Sequence, residues 1–318
     1  MGSSDNASAT NGHTSIDPNS LPPATSPLLI LTTPTPSERL RTWALTYPMW
    51  GPALSESDYL TREAYLTTVP LARDGGITHW ILTVEGMKEG ERPKFYAKHG
   101  WAPFASCHVA WKPQAVEGGG EGLKKARVIG YHELAELCVV DEKLLRGDLM
   151  RMAREDGKTH AAILPELDTM LWHLMREDFM TKAIFGRTPA IRGAVAGEPG
   201  KRVWAVWMRG YYGGLKKMEG NTLHILRVVM EDPSQPDEQL MEGFREIIQI
   251  AQAEAAEWKT QDVQVWNPTP KLKGLIVKCG IEFEFVDRDK DSIASLMWYG
   301  EEATEDIDWV ANEKYAWC

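Results

Sequence analysis

The spacing of apolar residues is most regular in the last third of the chain. Over Asp237–Trp258 apolar residues recur at helical spacing, which predicts a long amphipathic helix with Pro236 near its first turn. A shorter helix is predicted at Leu272–Lys278. Apolar or alternating runs predict strands at Val203–Met208, Leu223–Met230, Val263–Trp266, Ile281–Val286 and Ile293–Trp298. The β-β-α-β-α-β-β order is typical of a mixed sheet with flanking helices, so the predicted class is α/β (α+β).

Earlier segments give shorter signals of the same kinds. The motif Thr35-Pro36-Ser37-Glu38 predicts a helix start, with Thr35 or Ser37 as its cap and Pro36 near the first turn. Lys94–Trp101 is typical of a helix end, with Gly100 as its left-handed cap. Strands are predicted at Leu28–Leu31 and Ile77–Val84, and helices near Ser57 and at His132–Met152 and Leu171–Phe179.

Composition narrows the class of protein. The 318 residues are 43% hydrophobic with a net charge of -10, which disfavours nucleic acid as a partner because phosphate binding needs a basic face. No apolar run approaches the roughly 18 residues of a membrane span. The polar residues 1–27 contain no leader-like apolar core, and none of the four cysteines has zinc spacing. We therefore expect a disordered tail, a cytoplasmic location, and neither a metal site nor a membrane partner.

An ordered set of segments carries a family resemblance. The segments are Leu71–Gly76, Thr78–Trp80, Lys94–Trp101, Asp168–His173, Phe185–Arg187, Asn221–Arg227, Trp266–Pro268 and Asp291–Gly300. Together they resemble the fungal lysine N6-acetyltransferases, a two-lobed branch of the GNAT acetyltransferases. The resemblance extends nearly continuously from Leu28 to Gly300. The resemblance implies GNAT-like mixed sheets in two lobes. We expect an incomplete GNAT lobe at 28–117, a helical inter-lobe region at 118–200 and a C-terminal GNAT-like lobe at 201–318.

The resemblance also implies a reaction and two substrates. The acetyl group of acetyl-CoA would pass to the side-chain amine of a small molecule, L-lysine, in an early step of lysine degradation. Transfer requires the amine to lose its proton, the oxyanion to meet a backbone donor, and the departing thiolate to receive a proton or hydrogen bond. In the GNAT pattern F-Y-x-x-x-G-[FW], the tyrosine serves the thiolate, and this maps onto Tyr96 as a catalytic residue. The alternative is that Tyr96 is an aromatic residue packed on the sheet.

Five further residues are expected near the acceptor. Asp168, Trp172 and His173 would line a substrate pocket between the lobes, or else belong to a helix that only packs between them. Asp291 and Ser292 would bind the lysine amine, or else form a turn with a capping role. A structural ion pair is the default expectation for Arg227, which lies on a predicted strand.

One element of the family pattern is missing. GNAT enzymes hold the CoA pyrophosphate on a [QR]-x-x-G-x-[GA] loop before a helix, where backbone N–H groups and small residues allow close approach. Only the polar loop 85–93 separates Ile77–Val84 from Lys94–Trp101, where the family has this element. The segments 144–149, 193–197 and 232–236 do not supply the pattern. We therefore expect a truncated N-terminal lobe and assign no cofactor-binding residues.

Three functions remain open from the sequence. The first is an acetyl-CoA:L-lysine N6-acetyltransferase. The second is a non-catalytic relative, a splice or gene-model variant that binds an amino acid or a protein partner. The third is an acyltransferase for another amine, such as a polyamine.

Overall fold

The computed structural model describes residues 26–84, 102–104, 106–115, 125–288 and 292–317. Tyr96 and Asp291 lie outside the described residues, as does most of the predicted tail. The helices of the described part are α1 (Pro36–Trp50), α2 (Glu56–Leu66), α3 (Tyr131–Asp156), α4 (Leu167–Phe185), α5 (Asp237–Glu257) and α6 (Pro270–Lys278). None of these helices is both long and apolar enough to cross a membrane.

Seven strands form the main sheet. In chain order they are β4 (Ser106–Trp111), β5 (Ala126–Ile129), β7 (Gly193–Ala196), β8 (Val203–Tyr211), β9 (Asn221–Met230), β10 (Asp262–Trp266) and β11 (Glu284–Arg288). Their order across the sheet is β11-β4-β10-β9-β8-β7-β5. The β9–β10 pair is parallel, whereas the other pairs are antiparallel. The predicted α/β class with a mixed sheet is confirmed.

Small two-stranded pairings complete the described structure. They involve β1 (Leu29–Thr32), β2 (Ile81–Val84), β3 (Ala102–Pro103), β6 (His160–Ala161), β12 (Ser295–Leu296) and β13 (Asp308–Trp309). β1 pairs with β2, β3 with β12, and β6 with β13. The β6–β13 pairing joins the last part of the chain to the segment that follows α3.

Helices cover both faces of the main sheet. α5 and α6 pack on one face, around Phe244, and α3 and α4 pack on the other, around Leu174. Along β8, residues 203, 205 and 207 contact the first layer, and residues 204, 206 and 208 contact the second. Successive strand residues point to opposite faces, so a strand covered on both sides is apolar throughout. This explains the continuous VWAVWM run.

The hydrophobic pattern located most elements but missed three strands of the main sheet and the short strands β3, β6 and β13. β4, β5 and β7 were not predicted, and the strand expected at Ile281–Val286 begins only at Glu284. The expected strand Ile293–Trp298 shrinks to Ser295–Leu296. β5 and β7 fall within the region expected to be helical, and β4 lies between β10 and β11 although it precedes both by more than 150 residues. The lobe boundaries stay predictions. However, β4, which lies before the expected boundary at 117, pairs with β10 and β11, which lie beyond it.

The two N-terminal helices pack against α4 and the end of β8. The α1 start agrees with the prediction, since Thr35 and Glu38 form a capping box. Tyr59 of α2 is buried in a cluster with Met180 of α4 and Tyr211 of β8. This packing places α1 and α2 over the side of the sheet that also carries α3 and α4, and leaves a cavity between them.

Candidate functional site

A cavity of about 510 Å³ lies among α1, α2, α4, the strands β8–β10 and the last residues of the chain. Its size is within the usual range for small-molecule sites. Trp172, His173 and Ser292, which were expected near the acceptor, all line it. The structure thus brings together residues separated by about 120 positions, and their predicted roles in binding stay predictions.

Asp168 does not line this cavity. It lies in the first turn of α4, one turn before Trp172, and its side chain is exposed. A carboxylate there interacts favourably with the positive end of the helix dipole, which accounts for its position without a ligand. Ser292 has a φ of 56°, in the left-handed region that is typical of turns, and it also lines the cavity. The turn and a position beside the acceptor are therefore compatible.

Helix periodicity adds Arg176 to the face that carries Trp172. The two residues are four positions apart and therefore lie on the same side of α4, and both line the cavity. The Arg176 guanidinium lies 5.6 Å from the ring centroid of Tyr212, which also lines the cavity. The sequence analysis did not select Arg176, although its position four residues after Trp172 on a predicted helix indicates that the two side chains share a face.

His173 is a neutral, fully buried imidazole. Its Nε2 lies 3.0 Å from the carbonyl oxygen of Tyr315, so this nitrogen donates and ties α4 to the end of the chain. Burial, which disfavours the charged form, lowers the pKa of His173 to about 3. His173 is therefore a fixed wall residue that stays uncharged at physiological pH.

His224 projects from β9 into the cavity and has an unsatisfied ring nitrogen. Its side chain is 8% exposed, and Nδ1 has no hydrogen-bond partner within the described residues. The ring meets Trp266 edge-on at 5.6 Å, and a Cβ added to Gly210 would lie 3.4 Å from it. Burial and the nearby Lys314 charge lower the pKa of His224 well below its usual value. The neutral imidazole is therefore a polar group in the cavity wall, and its unpaired Nδ1 is itself inaccessible to solvent.

The end of the chain forms the third wall. Trp317 meets Trp266 edge-on at 5.0 Å, and Lys314 Nζ lies 4.4 Å from the Trp266 ring centroid. Glu313 holds this segment against β9, because its carboxylate accepts from the Val228 N–H at 3.1 Å and pairs with Arg227.

Arg227 has the structural role expected from the sequence. Its guanidinium makes a bidentate pair with Asp141 of α3 at 2.9 Å on both sides, and a further pair with Glu313. The Arg227 and Asp141 side chains are nearly inaccessible to solvent. The prediction of an ion pair is confirmed, and Arg227 is not available to a ligand in the cavity.

The wall formed by α1 and α2 carries one internally paired acid. Glu63 accepts from Nε and Nη2 of Arg62, whose Nη1 donates to the Trp50 carbonyl. Tyr59 shares a 2.8 Å hydrogen bond with Thr46. Three of the charged side chains that line the cavity are cationic, and Glu63 is the one acid among the lining residues described. Such a site favours a ligand with an anionic group and disfavours the protonated form of an amine.

The start of α5 does not fit a diphosphate. Pro233 and Pro236 have no N–H, and the N–H of Ser234 donates to Asp232 at 3.0 Å. The Asp237 carboxylate lies in the first turn and binds two lysine side chains, which lower its pKa to about 2. A helix start suited to phosphates presents unpaired N–H groups without fixed negative charge. No phosphate-binding step is therefore assigned to this loop.

Two comparisons with known proteins bear on the identity of this fold. A family model described as the LYC1 GNAT-like C-terminal domain matches residues 108–318, which is more than half of the chain. No curated protein matches the chain.

Proposed function

Because this chain belongs to the LYC1-like GNAT family, we propose that it serves acetyl transfer from acetyl-CoA to the side-chain amine of L-lysine. Family membership supports an acetyltransferase-type function in general. The choice of lysine rests on the ordered sequence segments and on the cavity. A place in lysine degradation is part of the same proposal.

The observation that carries the proposal is the convergence of Trp172, His173 and Ser292 on one cavity. The surrounding cations make that cavity suitable for an amine that must react without its proton. A nearby positive charge lowers the pKa of an ammonium group, and partial burial lowers it further. The neutral imidazole of His224, which lines the cavity, supplies a polar group that can accept a hydrogen bond from the neutral amine and orient its lone pair.

The N-terminus of α5 favours a second candidate, in which the chain is a relative that binds the acceptor but does not transfer acetyl. The loop before α5 has neither glycine nor free N–H groups at Ser234, and Asp237 adds negative charge. In this second candidate the cavity still takes an amino acid. The two candidates differ in whether acetyl-CoA binds.

Calorimetric titration of acetyl-CoA, with and without L-lysine, separates these candidates. Under the first candidate, acetyl-CoA binds at micromolar concentration and mass spectrometry detects N6-acetyl-lysine. Absence of heat at millimolar acetyl-CoA, from a sample that unfolds cooperatively, would reject transfer and favour the second candidate. If binding is found, Tyr96→Phe tests the predicted tyrosine, with a fall in kcat as the expected result.

The acceptor cavity has its own test. Trp172→Leu should raise the KM for lysine at least tenfold, because an indole wall contributes buried apolar contact that leucine restores only in part. Trp80→Leu is the matched control, since Trp80 is exposed and is not among the lining residues. Equal KM values for the two variants would place the acceptor elsewhere.

A further inference from the structure

Arg176 is a cavity cation for which the described structure shows no counter-charge. Its guanidinium lies over the Tyr212 ring, and it makes no hydrogen bond or ion pair with any described residue. Arg62, by contrast, is bound to Glu63. A half-buried guanidinium that packs only on a ring retains its full set of donors for a planar anion.

The acids beside Arg176 in the chain are engaged elsewhere. Glu177 is fully buried and pairs with Arg192 and Arg209, while Asp178 pairs with Arg192 and accepts from Tyr131 at 2.6 Å. Arg192, Arg209 and Tyr131 are not among the residues that line the cavity. Neither carboxylate is therefore available to neutralise Arg176, and the charge of the cavity is maintained by the fold.

A second, independent feature of the cavity indicates a polar ligand. His224 Nδ1 is more than nine-tenths buried and unpaired in the described structure, and it is carried by β9 whereas Arg176 is carried by α4. The cavity thus offers a cationic donor on one wall and a neutral imidazole on another. A ligand that satisfies both has an anionic group and a separate polar group, as an amino acid has.

We infer that Arg176 binds the α-carboxylate of the acceptor, so that the site selects amino acids over amines without a carboxylate. The inference rests on the proposed acceptor role of the cavity. A guanidinium matches a carboxylate through two parallel N–H···O bonds, and charge-assisted pairs of this kind are the stronger class of hydrogen bond. A polyamine would bring further positive charge to three cations and gain no such pair.

Calorimetry without acetyl-CoA tests the inference directly, with L-lysine, L-lysinamide and 1,5-diaminopentane as probes. The amide keeps the shape of lysine and replaces the negatively charged carboxylate with a neutral carboxamide. We expect L-lysine to bind at least tenfold more tightly than either of the other two. Arg176→Gln should remove this preference, and Arg176→Lys should keep part of it. Arg187→Gln is the matched control, because Arg187 also packs on a ring, that of Trp258, but lies outside the cavity.

Each outcome decides the matter. Equal binding of L-lysine and L-lysinamide to the unaltered protein, or no L-lysine binding at 10 mM, would overturn the inference without recourse to any variant. Unchanged L-lysine binding by a folded Arg176→Gln protein would do the same. Loss of acetyl-CoA binding in that variant, with lysine binding intact, would assign Arg176 to the cofactor and also overturn it. Carboxylate-dependent binding without acetyl transfer would sustain the inference while the transferase proposal fails.

Discussion

Glu177 offers the sharpest test of how the fold holds the helix that carries Trp172 and Arg176. Its side chain is fully buried, and one carboxylate oxygen accepts from both the backbone N–H and Nη1 of Arg209 at 2.8 Å. The other oxygen pairs with Arg192. Glu177→Gln preserves the shape but removes the charge, and its amide group must face a guanidinium that is itself a donor.

The cost follows from the burial of all three partners. Both arginine side chains are no more than 1% exposed, so water cannot replace the lost contacts. Removing one partner of a buried ion pair typically costs about 3–5 kcal/mol. Since single domains are stable by only about 5–15 kcal/mol, the loss is a large fraction of the total. We expect Glu177→Gln to lower the free energy of unfolding by about 3–5 kcal/mol.

Urea unfolding followed by far-ultraviolet circular dichroism measures the change. Glu155→Gln on α3 is the matched control, because Glu155 pairs with Arg151 while both side chains are more than half exposed. Exposed pairs contribute little, so the control should lose less than about 0.5 kcal/mol. A loss below about 1 kcal/mol for Glu177→Gln would refute the reasoning, since it would show that the cluster is either hydrated or easily repacked.

Three further predictions concern pH and packing. Burial lowers the pKa of His173 to about 3, so its contribution to stability is complete above about pH 6.5 and is lost as the pH falls. In urea unfolding, the loss of unfolding free energy between neutral pH and pH 5 should therefore be about 2 kcal/mol smaller for His173→Gln than for the unaltered protein. Hydrogen bonds to Asp156 and Asp308 raise the pKa of His160, so its contribution is complete at low pH and is lost as the pH rises through that raised value. His160→Gln should therefore flatten the fall in Tm between about pH 6 and pH 8, and an unchanged slope would contradict this. A Cβ at Gly193 would lie 2.1 Å from a carbonyl oxygen of the neighbouring strand, so Gly193→Ala should cost about 3 kcal/mol or more, and a neutral result by calorimetric scanning would contradict the packing.

Local pattern predicted the elements whose burial depends on their own sequence. The apolar stripe of α5 and the continuous apolar run of β8 could both be recognised in the sequence. Residues on the same face of an element have similar burial, so each element carries a regular pattern of apolar positions. β4 and β5 were missed because they are short and only partly buried along their length. Their strand character comes from pairing with distant segments, and the hydrophobic period carries no signal for that.

For the site, the sequence by itself determined the family and three of the residues that meet in the cavity, Trp172, His173 and Ser292. Only the tertiary structure showed that His224 has an unpaired nitrogen and that Arg176 has no counter-charge in the described part of the chain. The reason is that a residue type and its neighbours in sequence define which hydrogen bonds a side chain can make. Whether a partner is present depends on groups that long-range packing brings within about 3 Å, and that is a property of the folded chain alone.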